Sequence, residues 1–202
     1  SIYDHLLLEP EQIEERKILF SGLSVGYTTV SQRLEKIYES ISEYPKPFGS
    51  IEDGIDLEIF RPTNLERLYD ENREIVIGWV GKSKWGGDDI DHKGLETIIK
   101  PAIQSLREEG YNVRGYYADR MERWIPHNEM NEYYNSIDIY VCASDIEGTP
   151  NPALESMACG IPIVSTDVGM IPQLFGTLQQ HFILPLRTTE HLKLKLIELI
   201  KN

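Results

Sequence analysis

The sequence predicts an α/β protein built on a parallel sheet with helices on both faces, and three observations carry that prediction. From residue 74 onward, apolar runs of strand length alternate with segments of helical periodicity, the order expected of βαβ units. The runs at 75–80 and 139–143 are continuously apolar rather than alternating, as in strands covered on both faces. Polar, glycine-containing loops follow these runs, and open sheets of this class bind ligands past the carboxyl ends of their strands.

Taken in order, residues 1–62 lack the pattern of a compact domain. Residues 11–16 are charged and helix-prone, with Pro10 tolerable as a first helical residue, and 27–30 form a short β-prone stretch. Residues 31–38 carry Leu34, Ile37 and Tyr38 at helical spacing, with Ser31 as the expected cap. Pro45, Pro47 and Gly49 then break the pattern, and Pro62 closes a turn signal. This part reads as the tail of something larger plus a connector.

The α/β part begins with the strand at 75–80. A helix over 95–106 follows, marked by Leu95, Ile98, Ile99, Ala102, Ile103 and Leu106, and Pro101 should kink it or split it. A strand is expected at 111–118, a short helix at 129–136 and a strand at 139–143. Asn151 is placed to cap a helix, Pro152 to begin it and Gly160 to end it, so 151–159 reads as helical. Further strands are expected at 161–166 and 181–186, and a final amphipathic helix at 190–201.

Two loops compete for a site in one crevice. Ser144-Asp-Ile-Glu-Gly-Thr-Pro-Asn-Pro-Ala-Leu-Glu155 leads from strand to helix. A helix start there would aim the N–H groups of Ala153 and Leu154 at the loop as an anion site, flanked by Glu147 and Glu155. Ionised carboxylates only accept hydrogen bonds, so these two suit hydroxyl groups such as a sugar diol rather than phosphate. The other loop contains Gly78-Trp-Val-Gly-Lys-Ser83, which lacks the first glycine of a P-loop, having Val76 there, and lacks a helix directly after Ser83. What it offers is a glycine turn and Lys82, with Lys93 on the far side at the start of the next helix, two cations able to neutralise a diphosphate.

Composition sets the limits. A net charge of −13 argues against nucleic acid or an anionic membrane as a main partner, since both demand a basic face. Cys142 and Cys159 have neither metal-ligand nor Cys-x-x-Cys spacing and read as reduced core thiols of a cytoplasmic protein. No signal peptide and no bilayer-spanning run is visible, so a membrane-peripheral place is left to a partner or a segment outside these residues. The acidic cluster at 88–91 reads as a solvated turn and the histidines as scattered, so no metal is expected. Trp85, Tyr116, Tyr117 and Trp124 are the aromatic residues available to stack on a base, with core packing as the plainer role for each.

Glu147-Gly-Thr-Pro-Asn-Pro-Ala-Leu-Glu155, followed by Ser-Met-Ala-Cys-Gly-Ile-Pro-Ile-Val-Ser-Thr-Asp-Val-Gly169, closely resembles the Glu-x7-Glu signature of the retaining GT-B glycosyltransferases, in particular family 4, glycosyl transferases group 1. Residues 29–34 and 53–62 resemble that family's last N-domain elements and interdomain connector, and Val80-Gly-Lys82 with Lys93-Gly94 its donor-phosphate residues. The resemblance implies a Rossmann-like fold, the C-terminal half of a GT-B fold, with residues 1–62 as the tail of an acceptor domain plus connector and 63–202 as the nucleotide-sugar (donor) binding domain.

It also implies roles. Glu155 would bind ribose hydroxyls and Glu147 the hydroxyls of the transferred sugar. The backbone of Gly148, Thr149, Pro150 and Asn151 would meet sugar and phosphates, beside Gly81. Lys82 and Lys93 would hold the diphosphate and stabilise it as leaving group. Glu147, Lys82 and Lys93 are thus the implied catalytic residues, the nucleotide sugar is the implied partner, and neither a metal nor another cofactor is implied. The implied function is transfer of a hexose-type sugar to an acceptor hydroxyl in glycan, lipid or polysaccharide biosynthesis, through same-face attack, with Glu147 not required as nucleophile.

The chain departs from the family pattern in five places. Lysine 82 stands where arginine is usual, losing the bidentate fork. The loop from Lys82 to Lys93 is long, and Gln173 stands where glutamate is common. A helix and strand that normally precede Glu129 have no room, which bears on the base pocket. The acceptor-binding N-terminal domain is missing, so the chain reads as a C-terminal fragment, inactive alone. The alternatives are a non-catalytic nucleotide-sugar-binding module and a GT-B epimerase.

Overall fold

A computed structural model of the chain describes residues 10–21, 26–70, 72–84 and 90–201. Helix α1, Pro10–Ser21, comes first. Thr29 and Ser50 form an isolated bridge, so the β-prone stretch at 27–30 makes one pairing rather than a strand. Helix α2, Gln32–Ser40, starts as the sequence predicts, with the Ser31 hydroxyl accepting from the Leu34 N–H at 3.2 Å. Leu34, Tyr38 and Tyr44 form a small cluster of their own, with Phe20 and Tyr27 packed on it.

Four strands make one parallel sheet in the order β2-β1-β3-β4. Strand β1, Ile75–Gly81, pairs along its whole length with β2, Val113–Asp119, from Ile75 opposite Val113 to Gly81 opposite Asp119. Strand β3, Ile139–Cys142, lies on the other side of β1, with Gly78 opposite Tyr140. Strand β4, Ile163–Ser165, closes the order. The connections after β1 and β3 therefore leave in opposite directions, and a crevice opens between them at the carboxyl ends.

Period-two alternation divides the sheet's side chains between two cores. Ile77, Trp79, Ile139, Val141 and Val164 face a π-helical turn, Leu95–Ile99, that runs into α3, Lys100–Glu108, together with the final helix, Thr189–Lys201. Val76, Tyr140, Cys142 and Ile163 face the opposite way, onto α4, Met130–Asn135, and α5, Asn151–Ala158. A short α6, Ile171–Leu174, joins this side, and Thr189–Lys201 is α7. The fold is α/β and Rossmann-like, with helices on both faces. Among the described residues, no helix is long and apolar enough to cross a membrane.

Pro101 acts on its helix as the sequence predicts, and one strand prediction changes. Pro101 does split its helix: the Ile99 N–H reaches back five residues to the Gly94 carbonyl at 2.9 Å, and regular α geometry begins at Lys100. Residues 181–186 are not a strand. Gln179–Phe182 is a 3-10 turn, after which Ile183 makes one bridge to Ser165 and the Leu184 N–H bonds the Ser165 carbonyl at 2.7 Å. Pro185 has no N–H to continue the ladder.

At the opposite end of the sheet, Asp138 is held by Arg67 and by Arg73 at 2.5 Å, and accepts the Val76 N–H at 2.7 Å. This buried knot ties the segment entering β1 to the turn entering β3, so the two strands that bound the crevice start from a common anchor.

Candidate functional site

The crevice between β1 and β3 is a cleft of about 610 Å³, and Gly81, Lys82, Lys93, Glu147, Thr149, Pro150, Asn151 and Glu155 all line it. The two loops that the sequence left in competition are thus two walls of one site, and backbone contacts hold them together. The Asp145 N–H donates to the His92 carbonyl at 3.0 Å, while His92 Nδ1 and the Asp145 carboxylate stand 3.1 Å apart. Arg187, just before α7, donates to the Ala143 carbonyl at 2.8 Å and to the Asp91 carbonyl at 2.6 Å, one from each loop. Gly94, at φ +72°, lets the walls approach: a Cβ there would lie 2.5 Å from the Ala143 oxygen.

This juncture brings Lys93 onto Glu147. Their charged groups form an ion pair, and the same carboxylate oxygen accepts from the Ser144 hydroxyl at 2.8 Å. Both side chains are largely buried, so the pair sits where water screens it weakly. Asp91 does not join any acidic cluster in the described residues. Its carboxylate accepts the N–H groups of Leu95, Glu96 and Thr97 at 3.2, 2.7 and 2.9 Å. The helix start beside Lys93 is therefore already capped by a carboxylate, and positive charge on this side of the cleft comes from side chains. Asp88, Asp89 and Trp85 lie outside the described residues.

On the other wall, α5 starts differently from the sequence reading. Asn151 is the first helical residue rather than the cap, and Pro150 occupies the cap position. The Ala153 and Leu154 N–H groups, expected to face the loop, both donate to the Pro150 carbonyl at 2.8 and 3.3 Å. With both donors satisfied by one carbonyl, no anion site opens from those two groups.

One turn into α5, half-buried Glu155 accepts a 2.5 Å hydrogen bond from the hydroxyl of Tyr134, which α4 presents from below. Burial pushes the Glu155 pKa upward, while the Tyr134 bond and the His127 charge pull it down; the net direction is up. Gly148 is buried under Glu147, its carbonyl packed so closely on Gly169 that a Cβ there would stand 2.2 Å away. Thr149 turns its hydroxyl to the Val30 carbonyl at 3.3 Å, linking the loop to the N-terminal segment.

Lys82 stands exposed at the rim. Beside it is a cation that the sequence reading missed: Arg120, whose N–H donates to the Gly81 carbonyl at 3.0 Å and whose side chain also lines the cleft. The rule that ligands meet the carboxyl ends of strands would have found it, since Arg120 follows β2 as Lys82 follows β1. His127 and Trp124 complete that side. Of the other aromatic residues, Tyr116 stacks on Tyr133 at 4.9 Å, and Tyr117 belongs to the opposite core, where burial pushes its pKa up to about 12. Among the described residues, no three His, Cys, Asp or Glu side chains are grouped to hold a metal ion.

The arrangement joins three cations, Lys82, Lys93 and Arg120, to two carboxylates in one cleft. Cations complement phosphate oxygens, and carboxylates that only accept hydrogen bonds select hydroxyls. One ligand satisfying both has an anionic centre with polyhydroxylated groups attached.

Comparison with known proteins gives the same direction. The chain is 37% identical over 83 residues to the lipopolysaccharide core biosynthesis mannosyltransferase LpsB of Rhizobium meliloti, covering 41% of this chain and 21% of that protein. It is 26% identical over 145 residues to the capsular polysaccharide biosynthesis glycosyltransferase CapM of Staphylococcus aureus, covering 60% and 36%. The chain thus spans between about a fifth and about a third of these relatives' length. Among solved structures, Anabaena HepE in complex with UDP and glucose superposes over 100% of this chain and 60% of its own, with a TM-score of 0.72 at 12% identity, which shows a shared fold. A family model described as glycosyl transferases group 1 matches residues 76–202, which take in all of the sheet but Ile75, both cleft walls and the final helix, and on that match the chain belongs to this family.

Proposed function

We propose that the chain is the donor-binding part of a retaining glycosyltransferase that moves a hexose-type sugar from a nucleotide diphosphate sugar to an acceptor hydroxyl in polysaccharide or related glycan synthesis. The observation that carries this reading is the Lys93–Glu147 pair in one cleft with Glu155. Residues 63–202 form the donor-binding domain in this reading. Residues 1–62 are the end of an acceptor domain with its connector, and the remainder of that domain supplies the acceptor site.

Each residue has a chemical task. Glu155, oriented by Tyr134, accepts from the two ribose hydroxyls. Glu147 accepts from hydroxyls of the transferred sugar, and its pairing with Lys93 places an ammonium next to the glycosidic oxygen. As the glycosidic bond lengthens, negative charge collects on the diphosphate, and Lys82, Lys93 and Arg120 stabilise it more in the transition state than in the ground state. The acceptor oxygen attacks from the face the diphosphate leaves, giving retention, and the leaving diphosphate is the nearest base for its proton. No metal is required in this scheme because the fixed cations carry the leaving-group charge. Two buried free thiols, Cys142 and Cys159, support a cytoplasmic setting.

A thermal-shift panel of UDP-, GDP- and ADP-sugars on the folded chain tests the reading. At least one nucleotide class should raise Tm in a concentration-dependent way. A folded chain whose Tm responds to none of them, up to millimolar ligand, refutes it.

A further inference from the structure

We propose that Tyr140 is a ligand-contacting residue of the cleft, its hydroxyl donating a hydrogen bond to a phosphate oxygen of a bound nucleoside diphosphate; this rests on the donor-binding reading above. Tyr140 lies on β3, paired with Gly78 on one side and Ile163 on the other, and points to the face covered by α4 and α5. It is 3% exposed, yet it lines the cleft.

The hydroxyls around it are already committed within the protein. Ser144 donates to Glu147 at 2.8 Å, Tyr134 to Glu155 at 2.5 Å and Thr149 to the Val30 carbonyl at 3.3 Å. Among the described residues, nothing hydrogen-bonds the Tyr140 hydroxyl. Its oxygen is not one of the unpartnered atoms sealed in the core, so it opens on the cleft. The ring itself is well packed, edge-on to Tyr134 with centroids 6.3 Å apart. Phenylalanine would fill the same space without a buried hydroxyl to satisfy, so the oxygen answers to something outside the protein core.

Charge identifies what that is. Burial pushes the Tyr140 phenol well above its ordinary pKa, with Cys142 and Tyr133 and then the carboxylates of Glu147 and Glu155 adding in the same direction. Tyr140 is thus a neutral donor close to two groups that can only accept. Glu147 and Glu155 can meet a ligand's hydroxyls but repel its phosphate, whose oxygens only accept. A neutral donor in the same cleft as both acids can meet the anionic segment, adding a hydrogen bond without adding charge.

Tyr140→Phe deletes only the oxygen. Calorimetric titration of UDP, GDP and ADP into wild type and variant should show the Kd of the preferred diphosphate rising about tenfold, the effect of losing one hydrogen bond to a charged group. The variant's Tm should equal or exceed that of wild type, since no internal bond is lost. An unchanged Kd in the variant overturns the assignment while leaving the donor-binding reading intact. A Tm several degrees lower also overturns it, because it reveals an internal partner. If wild type binds none of the three diphosphates, the donor-binding reading fails first and the assignment falls with it.

Discussion

Lys93 and Glu147 belong to different walls of the cleft, one following β1 and the other β3, and their ion pair joins those walls where the hydrogen bonds of Asp145 and Arg187 already hold the backbone. The pair is largely buried, so removing Lys93 takes the counter-ion from a buried carboxylate. Lys93→Ala should lower the unfolding free energy by about 1–3 kcal/mol, less than for a fully buried pair because the lysine keeps some solvent. Lys93→Met combined with Glu147→Gln should recover much of that loss. Urea titrations with an unchanged m-value would measure both.

Glu155 illustrates a site group that costs stability. Its folded pKa is raised, so the folded chain holds the proton more tightly than the unfolded chain does. Stability therefore falls as pH rises from the ordinary carboxylate range through the raised value, and stays lower above it. Glu155→Gln can still accept from Tyr134 and should raise Tm by about 2 °C near neutral pH. The gain should vanish once the pH is below the ordinary carboxylate range. Melting curves of both proteins across that range check the sign.

Tyr134→Phe should move the Glu155 titration further upward, because it removes a bond that favours the carboxylate. Carbon-13 NMR of the Glu155 side-chain carboxyl reads the midpoint directly. A downward shift would mean that Tyr134 does not act as donor to this group.

Gly169 fixes the loop that presents Glu147. At φ +50°, with a Cβ position 2.2 Å from the Gly148 oxygen and 3.1 Å from the Glu147 oxygen, Gly169→Ala must displace the loop. A cost of about 1–3 kcal/mol is expected from the backbone alone. Binding of nucleotide sugars should weaken in parallel, whereas Gly110→Ala, also at positive φ but with no neighbour within 4 Å, should cost stability without touching binding.

The strands of the sheet were legible because a run such as 139–143 has one simple cause, burial on both faces. The acids and lysines of the cleft were legible because they lie along the connections that leave those runs. What the sequence could not show depends on partners distant in the chain. Whether 181–186 forms a strand depends on how much of the β4 edge it reaches before Pro185, and it reaches one bridge. Asn151 looked like a cap because cap statistics are local, while Pro150 takes the place through its carbonyl. Neither Tyr134 nor Tyr140 carries a signal of its own in the sequence; only the tertiary fold shows that one hydroxyl bonds Glu155 and the other opens on the cleft.

The central claim is that Glu155 reads ribose hydroxyls in a nucleotide-sugar cleft. Calorimetry with the preferred nucleotide diphosphate sugar and its 2′-deoxyribose counterpart, on wild type and Glu155→Ala, tests it most directly. Wild type should favour the ribose ligand by about tenfold or more, and Glu155→Ala should bind the two alike, with its loss concentrated on the ribose ligand. Equal discrimination by a folded Glu155→Ala variant and by wild type would contradict the account.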